Sequence, residues 1–248
     1  MNNNYKSSFS LAGKTILVTG ATSGIGREAA IAASQAGGVM IITGRDPQRL
    51  KDTFSKLTGQ GHMMFAADLT NADDVSSFVD NLPEIDGIVH SAGITGYLPV
   101  KFIGPDDITS FFRINFEAPV LLNAGILKKK KLRKSASIIF LSSIATKYPY
   151  FGGALYSSTK AAIEAYSRTL ALELAPKGIR SNCILPSFVK TPMVEGAGET
   201  ISTEVLEKFA KMMPLGFGEP SDVANAIIYL LADASKWVTG SNMALGGG

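Results

Sequence analysis

Short β-branched and aliphatic runs alternate with helix-forming stretches along almost the whole chain, and this alternation restricts the fold more than any other feature. The runs fall at 15–18, 39–43, 63–67, 87–90, 137–141, 180–185 and 243–245. Helical patterns lie between them at 24–36, 46–57, 71–81, 106–130, 154–175 and 221–232. Several runs are apolar along most of their length, as strands covered on both faces must be. Strand–helix–strand spacing of this kind implies right-handed crossovers, so the expected fold class is α/β, a single-domain doubly wound parallel sheet with helices on both faces. Thr70, ahead of an acidic turn, and Ser221, after Pro220, are candidate helix starts. No linker or repeat divides the sequence. The expected organisation is an N-terminal extension at 1–10 and one domain over 11–248. The irregular segment 186–217 is the expected substrate loop.

Composition narrows the function. With 46% hydrophobic residues and a net charge of +3 over 248 residues, the chain is neither disordered nor uniformly basic. Six of the 24 basic residues sit in Lys128–Lys134, and the remaining 18 face 21 acidic residues. No nucleic-acid partner is expected from that balance. Cys183 is the only cysteine, and His62 and His90 stand far apart, so neither a disulfide nor a metal centre is expected. No apolar run approaches the ~20 residues of a membrane span. The first residues lack a secretory pattern, and the expected location is cytoplasmic, with no membrane partner.

The segment Thr15–Gly26 runs from the first expected strand into the first expected helix, with glycines at 20, 24 and 26. Gly20 suits a sharp turn, and Gly24 and Gly26 would let a helix N-terminus approach a pyrophosphate. Glycine also serves bare turns, but the position at this junction favours a dinucleotide. The second strand ends in Gly44 and Arg45. An NAD site would want an acid there; glycine and a guanidinium instead suit the 2′-phosphate of NADPH. Asp46 is better placed to start the next helix. Asp68, after the third strand, is open to two roles, accepting from an adenine amino group or capping a helix beside Thr70.

Tyr156 and Lys160, four apart at the start of a helical pattern, share a face. A phenol of pKa about 10 is a poor acid or base at neutral pH, and a neighbouring ammonium would lower that value. Such pairs are usually structural. Here Ser142 and Ser143 close the fifth expected strand, at the edge where open α/β sheets hold ligands.

Taken together, Thr19-Gly20 with Gly24-Ile25-Gly26, Asp68-Leu69, His90-Ser91-Ala92-Gly93, Asn115, Ser143, the Tyr-x3-Lys motif and Pro186 with Thr191 give the chain a clear relationship. Over 11–248 it resembles the short-chain dehydrogenase/reductase family, particularly its compact 3-oxoacyl-[acyl-carrier-protein] reductases. The resemblance implies a Rossmann-like domain and a hydride-transferring oxidoreductase without metal. It implies that Tyr156 donates the proton, Ser143 holds the carbonyl oxygen, Lys160 lowers the tyrosine pKa and holds the nicotinamide ribose, and Asn115 supports a relay water. It also implies cofactor contacts from Gly20, Thr22, Ser23, Gly24, Ile25, Gly26, Arg45, Asp68, Leu69, Ser91, Ala92, Gly93, Pro186, Val189 and Thr191. The cofactor is expected to be NADPH/NADP+ rather than NAD(H). Three positions depart from the family: Ser91 replaces an asparagine, Ser187 a glycine, and Gly246 an aspartate.

A stripe from Phe188 to Leu215, rich in Met and Phe, suggests an apolar substrate or helix packing. The expected substrate is a small-molecule carbonyl or alcohol, with 3-oxoacyl thioesters foremost and steroids, sugars and small ketones as alternatives. A non-catalytic NADP(H) sensor or scaffold is the rival from another class. The basic run is a candidate dock for an acyl carrier protein, or simply a solvated helix end. A homotetramer or homodimer using helices 106–130 and 154–175 is implied by the resemblance.

Overall fold

The structure, a computed structural model, describes residues 8–193 and 213–246. Seven parallel strands form one sheet in the order β3-β2-β1-β4-β5-β6-β7. They are β1 (Thr15–Thr19), β2 (Val39–Gly44), β3 (Met63–Ala66), β4 (Ile85–His90), β5 (Leu132–Leu141), β6 (Arg180–Pro186) and β7 (Asn242–Leu245). The helices are α1 (Gly24–Gln35), α2 (Pro47–Phe54), α3 (Ala72–Asn81), α4 (Pro105–Phe112), α5 (Ala118–Lys128), α6 (Ala154–Leu174) and α7 (Pro220–Leu231). The strand order reverses between β1 and β4, which creates the crevice where such sheets hold ligands.

Alternating strand residues feed two cores. Ile16, Val18, Ile139 and Ile184 pack on one face with Ala29, Ala30 and Ala33 of α1 and Ile227 and Leu230 of α7. Leu17, Ile88, Ile138 and Phe140 point the other way, against α3, α5 and α6. The alanines of α1 leave room for α7 to lie close beside it. Among the described residues, no helix is long and apolar enough to cross a membrane.

Five boundaries differ from expectation for local reasons. Helix 106–130 is divided by a π-helical stretch at Arg113–Glu117. Pro119, in the next turn, lacks an N–H for the carbonyl four residues back and crowds it, so the helix widens. Helix 46–57 stops at Phe54. Asn71, not Thr70, caps α3 by accepting from the N–H of Asp73 and Asp74, and Glu219 rather than Ser221 begins α7. The fifth strand starts five residues early, at Leu132.

That early start relocates the basic run. Lys129 pairs with Asp80 at 2.7 Å, and Arg133 pairs with Asp86 at 2.9 Å. Lys131 donates to the carbonyl of Leu82 at 2.6 Å. Half of this charge is therefore spent on stitching β5 to the α3–β4 connection. The run lies at the N-terminal ends of the strands. At ~3.3 Å per residue, β5 separates it by about 30 Å from the C-terminal ends, where the cleft described below lies. A carrier docked at 128–134 would face the wrong edge of the sheet.

His90 ends β4 inside the core, stacked on Phe140 at 4.8 Å between centroids, with Nε2 3.1 Å from Asn123 Oδ1. Burial pushes its pKa down to about 4. An unfolded chain binds this proton below about 6.5, so stability falls as pH drops from there to about 4, by roughly 3 kcal/mol in all. Chemical denaturation from pH 7 to 4 should show that loss in the wild type and a shallower one in His90→Asn.

Candidate active site

The C-terminal ends of the strands enclose a cleft of about 350 Å³. Its floor is set by the meeting of the β1 and β4 loops. Thr19 Oγ1 accepts from the backbone N–H of Ser91 and Ala92, each at 3.2 Å. Gly20, at φ +67°, approaches so closely that a Cβ would lie 2.7 Å from the Ala92 backbone. Thr22, Ser23, Gly24 and Ile25 then line the cleft as the chain enters α1. Ser23 is the N-cap residue but makes no side-chain capping bond, so the first-turn N–H groups face the cleft without a competing oxygen from it.

Gly26 has a different task from the expected one. It does not line the cleft; a Cβ there would come 2.4 Å from the Gly20 carbonyl oxygen. Its missing side chain seats α1 on its own loop.

At the β2–β3 side, Arg45, Asp68 and Leu69 line the cleft together with Arg49 and Thr70. Asp46 caps α2, accepting from the Arg49 N–H at 3.0 Å. Asp68 caps nothing. It accepts from the N–H and hydroxyl of Thr70 at 2.9 and 2.8 Å, and these bonds hold its carboxyl below the usual range, aided by Arg45 and Arg113.

At the β5–β6 side stand Ser143, Tyr156, Lys160, Pro186, Val189 and Thr191, with Ser91, Ala92 and Gly93 opposite. Ser143 comes two residues after β5; its hydroxyl accepts from the Ala145 N–H at 3.2 Å and lies close enough to Tyr156 to influence the phenol. Lys160 donates to the carbonyl of Leu141 at 2.8 Å, its ammonium 5.6 Å from the Tyr156 ring centroid. Burial pushes the Lys160 pKa down to about 8 and the Tyr156 phenol up to about 12, the Ser143 hydroxyl partly offsetting the latter. The expected lowering of Tyr156 by Lys160 is thus absent here: burial, acting on both groups, sets them.

This arrangement is shared with known proteins. A family model described as enoyl-(acyl carrier protein) reductase matches residues 20–248. The chain is 31% identical to the 3-oxoacyl-[acyl-carrier-protein] reductase FabG of Rickettsia felis, over 96% of this chain and 97% of that one. The chain belongs to the short-chain dehydrogenase/reductase family. It is an oxidoreductase acting on the CH–OH/C=O pair. Among solved structures, a gluconate 5-dehydrogenase described as putative, from Beutenbergia cavernae, with bound NADP, superposes with a TM-score of 0.87 at 26% identity, covering 97% of this chain and 98% of that one. A 7α-hydroxysteroid dehydrogenase complexed with NADH and 7-oxo glycochenodeoxycholic acid gives 0.90 at 25%, covering 100% and 98%.

In this dehydrogenase/reductase, Asn115 stands apart from the cleft lining. Its Oδ1 accepts from the Ile94 N–H at 2.8 Å, and its Nδ2 donates to the Ile94 carbonyl at 3.0 Å and to Thr159 Oγ1 at 3.1 Å. The side chain is fully used in clamping the β4 loop to α6. Its backbone carbonyl stands four residues before Pro119, which has no N–H to offer it.

Two family departures turn out to be neighbours. Gly246 sits at φ +86°, and a Cβ there would lie 2.9 Å from the Cβ of Ser187. The serine after Pro186 and the glycine that replaces an acid at the last strand therefore accommodate each other. Ser91 keeps its backbone bond to Thr19 and faces Gly26. Cys183 is buried in β6, its thiol pushed up to about 12 by burial, which leaves it inert.

Sequence reasoning missed Arg49, whose spacing of four from Arg45 was the available signal. It also missed Ile94 and Ile114 in the lining, whereas Met193, from the apolar stripe, lies there. Of the apolar stripe, Val194, Ile201, Val205, Leu206, Phe209 and Met212 lie outside the described residues. Phe188 packs on Phe217 at 6.0 Å, and Leu215 is exposed. A second cavity, bounded by Pro99, Val100, Tyr150 and Phe151, opens beside the α6 N-terminus.

Gly26→Ala should lower stability by about 1–3 kcal/mol, because the clash is with backbone that cannot rotate away. Thermal unfolding of the variant beside the wild type measures it; an unchanged melting temperature would refute the packing role.

Proposed function

We propose that this protein is an NADPH-dependent carbonyl reductase using Ser143, Tyr156 and Lys160, with 3-oxoacyl thioesters as the leading substrates. The observation that carries this reading is one cleft holding all three side chains at one end and Arg45 with Arg49 at the other. Five strand steps of ~4.8 Å separate β3 from β6, roughly 24 Å of strand ends for an extended dinucleotide.

The fit to that cofactor rests on bare backbone and on charge. Gly24, at φ +53°, faces Thr191 across the cleft, and Gly93 brings Asn115 and Lys160 within 3.0 and 3.5 Å of where its Cβ would be. Side chains at either place would fill the cradle. At the β2 end Asp46 is occupied in capping α2, and Asp68, at the β3 end, is engaged by Thr70, which leaves two guanidiniums to meet a 2′-phosphate. Gly20, Thr22, Ser23 and Ile25 would surround the pyrophosphate, Asp68 and Leu69 the adenine, and Ser91, Ala92, Pro186, Val189 and Thr191 the nicotinamide half.

When bound, NADPH supplies the hydride. The chain's residues do the rest. Ser143 donates to the carbonyl oxygen and fixes it. Tyr156, kept protonated by its burial, gives its proton to that oxygen as negative charge builds there. Lys160 holds the ribose hydroxyls and provides positive charge beside the phenolate that remains. A proton then returns through water at the Asn115 carbonyl.

Apolar walls at Ile94, Ile114 and Met193 support a substrate with an apolar part. The aromatic second cavity and the similarity to a hydroxysteroid dehydrogenase favour a ring-bearing ketone as the second reading. Exposed Leu121 and Leu172 on α5 and α6 support a homodimer or homotetramer through those helices. A single domain over 11–248, with its substrate loop at 186–217, and a cytoplasmic setting complete the proposal. An acyl carrier protein remains a partner of this reading, approaching the C-terminal edge of the sheet.

NADPH consumption with a short 3-oxoacyl thioester, beside NADH, tests the reading; turnover with NADPH alone is expected. Tyr156→Phe should bind NADPH normally and lose at least ~100-fold in turnover. Near-native turnover would remove the tyrosine from the mechanism. Arg45→Ala with Arg49→Ala should abolish the preference for 2′,5′-ADP over ADP in a calorimetric titration. A retained preference would place the 2′-phosphate elsewhere.

A further inference from the structure

Beneath the proposed proton donor lies a buried carboxylate that the reaction above does not use. Glu164 follows Lys160 by one turn on the same face of α6 and is 7% exposed. Its Oε1 accepts from the Ser142 hydroxyl at 2.6 Å, and its Oε2 from Asn242 Nδ2 at 2.5 Å. None of the ion pairs among the described residues involves it. Lys160 sends its ammonium to the Leu141 carbonyl instead. A carboxylate buried against two neutral donors is a costly way to fill space, since an apolar side chain of equal size would need no desolvation. Stability alone gives no reason for it.

Its geometry does. Leu141 and Ser142 are the last two residues before Ser143, and each is pinned to α6 by a side chain one turn from the other, Leu141 by Lys160 and Ser142 by Glu164. The strand end bearing Ser143 cannot slide along the helix bearing Tyr156 without breaking a pin. Asn242 ties β7 to the same carboxylate, and the end of β7 accepts from the Ser187 N–H at 3.0 Å, next to the cleft lining.

We propose that Glu164 is a positioning residue, which sets the hydroxyl of Ser143 against the phenol of Tyr156 by holding Ser142. This rests on the Ser143 and Tyr156 roles given above. The role needs two hydrogen-bond positions, not a charge. In Glu164→Gln the remaining carbonyl oxygen accepts from Ser142, while the new amide needs an acceptor where Asn242 now donates. Asn242 Oδ1 is buried without a partner, so turning that amide over supplies one. Glu164→Ala has no such substitute.

The test compares Glu164→Gln, Glu164→Ala, Ser142→Ala, Ser143→Ala and the Glu164→Ala/Ser143→Ala double variant. It measures kcat and KM for the carbonyl substrate and, by fluorescence, the Kd for NADPH. Glu164→Ala and Ser142→Ala should each lose ~10-fold or more in kcat, with NADPH Kd held within ~2-fold, as misplacement of a reacting group requires. Glu164→Gln should stay within ~3-fold of wild type, and Glu164→Ala should cost less than ~3-fold more in the Ser143→Ala background, because coupled residues are not additive. Full additivity, or a Gln variant as damaged as the Ala variant, would overturn the proposal. If Glu164→Ala does not fold, Ser142→Ala removes the same bond from the other side, and wild-type kcat there is equally fatal. Ser143→Ala with full turnover would instead bring down the functional reading itself. Loss in Ser143→Ala beside wild-type kcat in Glu164→Ala would bring down only this inference.

Discussion

The hydrogen bonds from the Ser91 and Ala92 backbone to Thr19 Oγ1 join the first and fourth strands just where the sheet's order reverses. Their close approach, possible because Gly20 has no Cβ, makes the floor on which both halves of the cleft rest. On one side the chain turns into α1 and presents its first-turn N–H groups. On the other it runs through Gly93 toward Asn115 and α6. A side chain at position 20 would part the two loops and, with them, the two halves of the cleft.

Burial governs the reacting end. Tyr156 and Lys160 are both pushed toward their neutral forms, the phenol up to about 12 and the amine down to about 8. Neither shift requires the other residue. In a water-poor site the phenol keeps its proton until an oxygen far more basic than a phenolate forms beside it, which suits donation during carbonyl reduction. The Leu141 carbonyl, by holding the ammonium, sets the height of Lys160 against the strand that ends in Ser143.

Departures from the family pattern carry meaning when read in pairs. Ser187 and Gly246 each look like a loss in the sequence, yet they meet in space, the glycine making room for the serine. Arg45 and Arg49 likewise line one end of the cleft together, while Asp46 between them caps α2. The basic run at 128–134 shows the opposite outcome. It stands out as a charge cluster, but half of its charges are tied to α3, β4 and the connection between them at the remote edge of the sheet.

The layered α/β fold, six of the seven strand positions to within two residues and the helix that bears Tyr156 and Lys160 were legible from local signals. Periodicity, β-branching and glycine placement act over a few residues, so the sequence by itself determined them. The family motifs also identified a little over half of the residues that line the cleft. Boundaries shaped by a missing N–H, as at Pro119, or by competition among adjacent caps, as at Asp68, Thr70 and Asn71, were not legible in the same way. The tertiary structure alone decided that Asn115 clamps a loop, that Gly26 seats a helix rather than a phosphate, and that Glu164 grips Ser142 and Asn242. Each depends on atoms distant in sequence brought within hydrogen-bond or van der Waals range, where direction and distance, not residue type, decide what a side chain does.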